Sequence, residues 1–141
     1  MIHLERIQKY IINSSNKLKI NSKDIKQNDI FLALEGSKNH GNKYILNAIK
    51  AGAKYCITDK KFSKSYPYEK ILLVENIQKF LLDLSKIKRS LFKGKVIGIT
   101  GSAGKTSLKE YLKYYLSKKF KVSASVKSYN NNLGVMVSIL N

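Results

Sequence analysis

The spacing of apolar positions changes several times along the chain, and each change marks an element. Over 4–13, Leu4, Ile7 and Ile11 recur at helical spacing and predict an amphipathic helix. A short extended piece at 18–20 follows, then the polar turn Asn21-Ser22-Lys23-Asp24. Residues 29–34 (DIFLAL) read as a buried strand, closed by Glu35-Gly36. After a polar loop over 37–43, Ile45, Ala48 and Ile49 predict a short helix that ends at Gly52. Strands are expected at 54–58 and 71–74, separated by a Lys/Ser-rich loop holding the only proline, Pro67. Asn76 is placed to cap a long helix whose apolar face is Ile77, Phe80, Leu81, Leu84, Ile87 and Leu91.

Phe92-Lys93-Gly94-Lys95 reads as a hinge, after which the pattern restarts. A strand is predicted over 96–100, then a glycine loop, then a helix with Leu108, Leu112 and Tyr115 on one face. A further strand is expected at 122–126 and the start of another helix at 133–140. Strands alternating with helices indicate the α/β class, with a first domain over 1–91 and a second beginning in 92–141. Three or four elements do not close a doubly wound core, so the second unit is expected to be truncated, with wet apolar faces and a tendency to self-associate.

The composition narrows the classes. Of 141 residues 43% are apolar, enough to bury a core and too many for a disordered polycation. No apolar run is long enough to span a bilayer, and the N-terminus lacks the pattern of a secretory signal. A single cysteine, Cys56, forms no internal disulfide, sits in an apolar stretch, and is expected to be a buried strand residue rather than a nucleophile. Together these predict a cytoplasmic protein without a membrane span. The net charge of +18 suggests nucleic acid, but 25 of the 27 basic residues are Lys and only Arg6 and Arg89 are Arg, the better reader of phosphates and bases. The charge is also even, 14 basic residues in 1–70 and 13 in 71–141, so a solvated lysine surface and no nucleic-acid partner are expected.

One segment carries chemistry. Gly101-Ser102-Ala103-Gly104-Lys105-Thr106 follows a predicted strand and opens a predicted helix, the context a nucleotide-phosphate loop needs. Glycines let successive backbone N–H groups face one concavity, and the helix N-terminus adds positive potential there. Lys105 is placed to reach the β- and γ-phosphates, and the Thr106 hydroxyl to ligate Mg²⁺. The spacing is the shorter G-x-x-G-K-[ST]; the longer form would need a glycine at Ile99.

The string over 98–106, GITGSAGKT, resembles the ATP loop of the Mur ligase family. Its continuation Ser107-Leu108-Lys109-Glu110 and the later Asn130-Asn131-Asn132-Leu133-Gly134-Val135 are similar to the branch that adds D-alanyl-D-alanine. Asn21-Ser22-Lys23 ahead of 29–34 resembles that family's uridine-side segment, and 36–41 with Tyr44-Ile45, Ala48 and Ala51-Gly52-Ala53 its next block. Lys23 stands in place of the more common Arg, His40-Gly41-Asn42 in place of acidic-Gly-His, and Met136 in place of Pro.

The resemblance implies a small N-terminal α/β substrate domain followed by the first strand, phosphate loop and helix of an ATP-binding domain. It further implies an ATP- and Mg²⁺-dependent amide ligase of peptidoglycan synthesis, monomeric when complete. Its substrates would be UDP-N-acetylmuramoyl-tripeptide and D-alanyl-D-alanine, joined through an acyl phosphate. Gly101, Ser102, Ala103, Gly104, Lys105, Thr106 and Ser107 would hold the nucleotide, with Lys105 and Thr106 acting in catalysis and Thr106 ligating the metal. On the substrate side, Ser22, Lys23, His40, Gly41 and Asn42 would hold the UDP-sugar, and Asn130 and Asn131 would sit near the phosphates or the muramoyl-peptide. The remaining catalytic groups would come from central and C-terminal parts of the family, so the 141 residues alone are expected to be inactive. A sibling ligase adding the third stem-peptide residue, a basic nucleic-acid module and a nucleotide-binding regulatory remnant are the competing readings. Neither His3 nor His40 has neighbours at metal-ligand spacing, and Tyr114 and Tyr115 are expected to pack rather than stack on bases.

Overall fold

The computed structural model describes residues 2–15, 17–36, 39–59, 68–125 and 131–141. Pro67, Asn130, Val126 and the 37–38 part of the polar loop lie outside them. The chain begins with α1 (Ile2–Asn13) and β1 (Leu18–Lys19). It continues through β2 (Ile30–Ala33), α2 (Ile45–Lys50), β3 (Tyr55–Thr58), β4 (Ile71–Leu73) and α3 (Ile77–Leu91). The last elements are α4 (Lys105–Ser117) and α5 (Asn132–Leu140). Short 3-10 turns over Ser22–Asp24 and Gly41–Tyr44 follow β1 and β2.

The four strands form one parallel sheet in the order β1-β2-β3-β4, with Ile30 opposite Leu18 and Tyr55, and Cys56 opposite Ile71. Both faces are covered, which explains why β2 and β3 are apolar without alternation. Ile30, Leu32, Tyr55, Ile57 and Leu72 face α1 and α3, meeting Ile7, Ile11, Ile77, Leu81 and Leu84. Phe31, Ala33, Cys56 and Ile71 point the other way, onto Ile45 and Ala48 of α2 with Ile25 and Ala53. Cys56 is fully buried there, and burial pushes its thiol up to about 12 against a smaller pull from Lys70. It is the inert core residue expected from its apolar neighbours.

Asn76 caps α3 by accepting from the Lys79 N–H at 2.8 Å. The buried apolar stripe of that helix stops at Leu84, with Ser85 buried beside it; Ile87 and Leu91, predicted to continue it, are exposed. Residues 96–100 form no strand, and Val96 and Ile97 are 58% and 59% exposed. A strand exists only through its neighbours, and none among the described residues pairs with this segment. No strand forms at 122–125 either. Along α4, Leu108 and Tyr115 are exposed, and so is Tyr114. Tyr114 and Tyr115 meet edge to face, centroids 5.2 Å apart, with Lys118 Nζ 4.5 Å above the Tyr114 ring, so these rings pack on each other at the surface and not in a core.

Helix α5 sits where the sequence pattern does not put it. Met136, Val137 and Leu140 enter the core shared by α1, α3 and the sheet, so a helix read as part of the second unit packs on the first. Helix α4 buries none of its own residues, whereas α3 presents Ile77, Leu81 and Leu84 to the core that α5 enters. Lys88 donates to the Ser14 carbonyl at 2.7 Å and to the Leu140 carbonyl, tying the ends of α1 and α5 to α3, and its burial there pulls its amine below the usual lysine range. Asn141 pairs with both backbone groups of Leu18, receiving its N–H at 2.8 Å and donating to its carbonyl at 3.2 Å. That side chain thus completes the open edge of β1.

Candidate functional site

Two groups of residues stand out. The first lies at the carboxyl ends of β1, β2 and β3, the end of a parallel sheet where ligands bind in open α/β folds. After β1, the Asn21 side chain accepts from the Lys23 N–H at 3.1 Å and starts the 3-10 turn that holds half-buried Ser22 and exposed Lys23 against α2. After β2, the chain turns back so that the Gly41 N–H donates to the Leu34 carbonyl at 2.7 Å. Gly41 abuts the backbone of β2 so closely that a Cβ would lie 2.7 Å from Ala33 Cα. Only glycine fits that approach.

The flanking residues of this loop are held by β3. The Thr58 hydroxyl donates to Asn42 Oδ1 at 2.5 Å. His40 Nδ1 accepts from the Asn42 N–H at 3.2 Å, and His40 Nε2 lies 3.1 Å from Asp59 Oδ1. The sequence-predicted residues His40, Gly41 and Asn42 are therefore stitched to two strand ends. Thr58 and Asp59 join this group only through the parallel register, which sets the end of β3 beside the loop after β2.

The second group is the phosphate loop. Gly101 has φ +146° and Gly104 φ +75°, backbone states that side chains rarely adopt. Gly104 is the N-cap of α4 and has open space around it, so its glycine serves the turn rather than a close contact. No acidic side chain enters the first turn of α4, leaving its positive end uncompensated. Lys105 folds back over the loop, donating to the Gly101 carbonyl and, at 3.4 Å, to the Ser102 carbonyl. Gly101, Ser102, Ala103, Gly104, Lys105, Thr106 and Ser107 are all exposed. This set fits a nucleotide phosphate: helix N–H groups, an ammonium already over the concavity, and the Thr106 hydroxyl as one oxygen for a hard cation.

The two groups are not joined by any hydrogen bond among the described residues. Asn131 caps α5, accepting from the Gly134 N–H at 2.8 Å, so its side-chain oxygen has a structural use; Asn130 lies outside the described residues. No helix among the described residues is long and apolar enough to cross a membrane.

Comparison with known proteins places this geometry. The sequence profile of the Mur ligase family, catalytic domain, matches residues 15–123. The chain is 42% identical to the UDP-N-acetylmuramoyl-tripeptide–D-alanyl-D-alanine ligase of Rickettsia prowazekii over 88% of its own length and 27% of that protein's. It is 32% identical to the UDP-N-acetylmuramoyl-L-alanyl-D-glutamate–2,6-diaminopimelate ligase of Rickettsia conorii, covering 88% of this chain and 26% of that one. Among solved structures, the MurF ligase of Thermotoga maritima in complex with ADP superposes with a TM-score of 0.73 at 34% identity, over 93% of this chain and 30% of that one. The chain thus spans about a quarter of the length of the curated relatives it matches. With a parallel sheet, a glycine phosphate loop and a profile match over most of its residues, the chain belongs to the Mur ligase family.

Proposed function

We propose that this chain forms the nucleotide-sugar domain and the opening of the ATP-binding domain of an ATP-dependent ligase that adds D-alanyl-D-alanine to UDP-N-acetylmuramoyl-tripeptide in the cytoplasm. The proposed division is 1–91 and 92–141, with α5 of the second segment packed on α3 of the first. The observation that carries the reading is the loop at 101–107, with two glycines at positive φ and Lys105 over the N-terminus of α4. The higher identity to a D-alanyl-D-alanine-adding relative than to a diaminopimelate-adding one supports the choice of branch.

In this reading Ser22, Lys23 and the 40–42 loop bind the UDP-sugar. Lys105 and the N–H groups of α4 neutralise charge growing on the transferred phosphoryl group, and Thr106 offers its hydroxyl to Mg²⁺. Phosphorylation turns the tripeptide carboxylate into an acyl phosphate. The amine of the dipeptide then attacks that carbonyl, and phosphate leaves as the amide forms. Asn130 and Asn131 stand as substrate-side residues, Asn131 through groups its cap leaves over. Ligation is assigned to a chain of the relatives' full length, monomeric when complete; the 141 residues are expected to bind without ligating.

Titration with Mg·ADP tests the loop. Lys105→Ala is expected to weaken binding by at least about tenfold, the loss of a charge-assisted contact, without changing the thermal transition. Equal affinity in the variant would remove the phosphate-loop assignment. Tight, salt-steep binding of generic DNA that survives Lys105→Ala would instead favour a nucleic-acid module.

A further inference from the structure

The imidazole of His40 has a defined hydrogen-bond partner on each nitrogen. Nδ1 faces the Asn42 backbone N–H at 3.2 Å, and a backbone N–H only donates. Nδ1 must therefore carry a lone pair and no proton. The ring proton then sits on Nε2, which donates to Asp59 Oδ1 at 3.1 Å. The His40 side chain is 9% exposed and that of Asp59 33%, so the ring is shielded while the carboxylate reaches solvent.

We infer that Asp59 is a positioning residue for the ligand loop: by holding His40 as the Nε2–H tautomer, it fixes the turn at 40–42. The argument runs through the local chain. His40 is the N-cap of the turn Gly41–Tyr44, and its Nδ1 supplies the acceptor for the N–H of Asn42, the second residue of that turn. A ring with its proton on Nδ1 would point two donors at each other and release the cap. The carboxylate of Asp59 selects against that ring state, since it accepts from Nε2–H and repels a lone pair there. One residue earlier, at the end of β3, Thr58 holds Asn42 by its side chain, and Gly41 is pinned on Ala33 and Leu34. With Asp59 in place, each of the three loop residues has its own anchor on β2 or β3.

The link from loop to ligand rests on the reading under Proposed function. The test separates the two. Long-range proton–nitrogen spectra of the full chain, labelled at its two histidines, report the tautomer of each ring directly, and the His40→Gln variant identifies which signal is which. In slightly alkaline buffer His40 is expected as the Nε2–H form alone. Asp59→Ala is expected to give a mixture of tautomers and to weaken binding of UDP-N-acetylmuramoyl-tripeptide by about tenfold, with an unchanged far-ultraviolet spectrum. Asp59→Asn, which keeps an acceptor oxygen, is expected to restore both the single tautomer and the greater part of the affinity. A wild-type ring protonated on Nδ1, or an Nε2–H signal that Asp59→Ala leaves intact, would overturn the inference. The expected tautomer behaviour in a protein that binds no UDP-sugar would uphold the anchoring by Asp59 and overturn the ligand reading.

Discussion

Gly41→Ala is expected to lift the 40–42 loop off β2 and to lower affinity for UDP-N-acetylmuramoyl-tripeptide by about a hundredfold, since displacements near 1 Å at a binding constellation have effects of that order. The added methyl would meet Ala33 Cα at 2.7 Å, Ala33 C at 2.8 Å and Leu34 N at 2.9 Å. All three are backbone atoms at the end of β2, where Ala33 is paired to Thr58 of β3, so the loop is expected to move rather than the strand. The loop then loses the Gly41 N–H to Leu34 carbonyl bond, with an overpacking cost of about 1–3 kcal/mol. Gly98→Ala, where a methyl meets nothing within 4 Å, is the control expected to change neither quantity. Calorimetry and urea denaturation measure the two effects. Wild-type affinity in Gly41→Ala would show that the loop does not set the ligand site.

The largest loss of stability is expected at Leu81. It is fully buried in the cluster that α3 shares with α1, α5 and the sheet. Truncation to Ala removes the methyl groups that join these layers and leaves a cavity, which costs about 2–5 kcal/mol. Total stabilities of small domains are about 5–15 kcal/mol, so the variant should sit near its unfolding transition at ordinary temperature. Leu82→Ala, one position further on the exposed side, should shift stability by less than about 0.5 kcal/mol. Urea midpoints of the two variants measured together check the prediction. Similar losses at both sites would contradict the packing of α3 described above.

These effects also show what the sequence makes legible. Strands β2 and β3 announce themselves because both faces are covered, which leaves DIFLAL and YCIT with almost no polar interruption. The cap at Asn76 and the glycine turn ahead of α4 are equally legible, since each is decided by a few adjacent residues. Segment 96–100 has the composition of a strand and is not one, because pairing depends on neighbours that local composition does not reveal. For α5 the apolar pattern shows that the helix must be buried but not against what, and the answer is α3. The end of α3 is overread for the same reason: Ile87 and Leu91 keep helical spacing beyond the point where a partner exists.

At the proposed ligand end the division is sharper. Ser22, Lys23 and 40–42 are proposed from local strings, whereas the hydrogen bonds that anchor the loop join residues 16 and 19 positions apart. Thr58 looks like one more strand residue and Asp59 like the start of a loop until the parallel register brings them beside Asn42 and His40. Their role is a property of the sheet, not of the segment that carries them.

The central claim is that 1–91 is a nucleotide-sugar domain. It is tested most directly by calorimetric titration of the folded chain with UDP-N-acetylmuramoyl-tripeptide. The account predicts saturable binding that Ser22→Ala weakens by roughly fivefold or more, the loss of one hydrogen bond at the carboxyl end of β1. Absence of binding in a sample whose cooperative unfolding proves it folded would contradict the account.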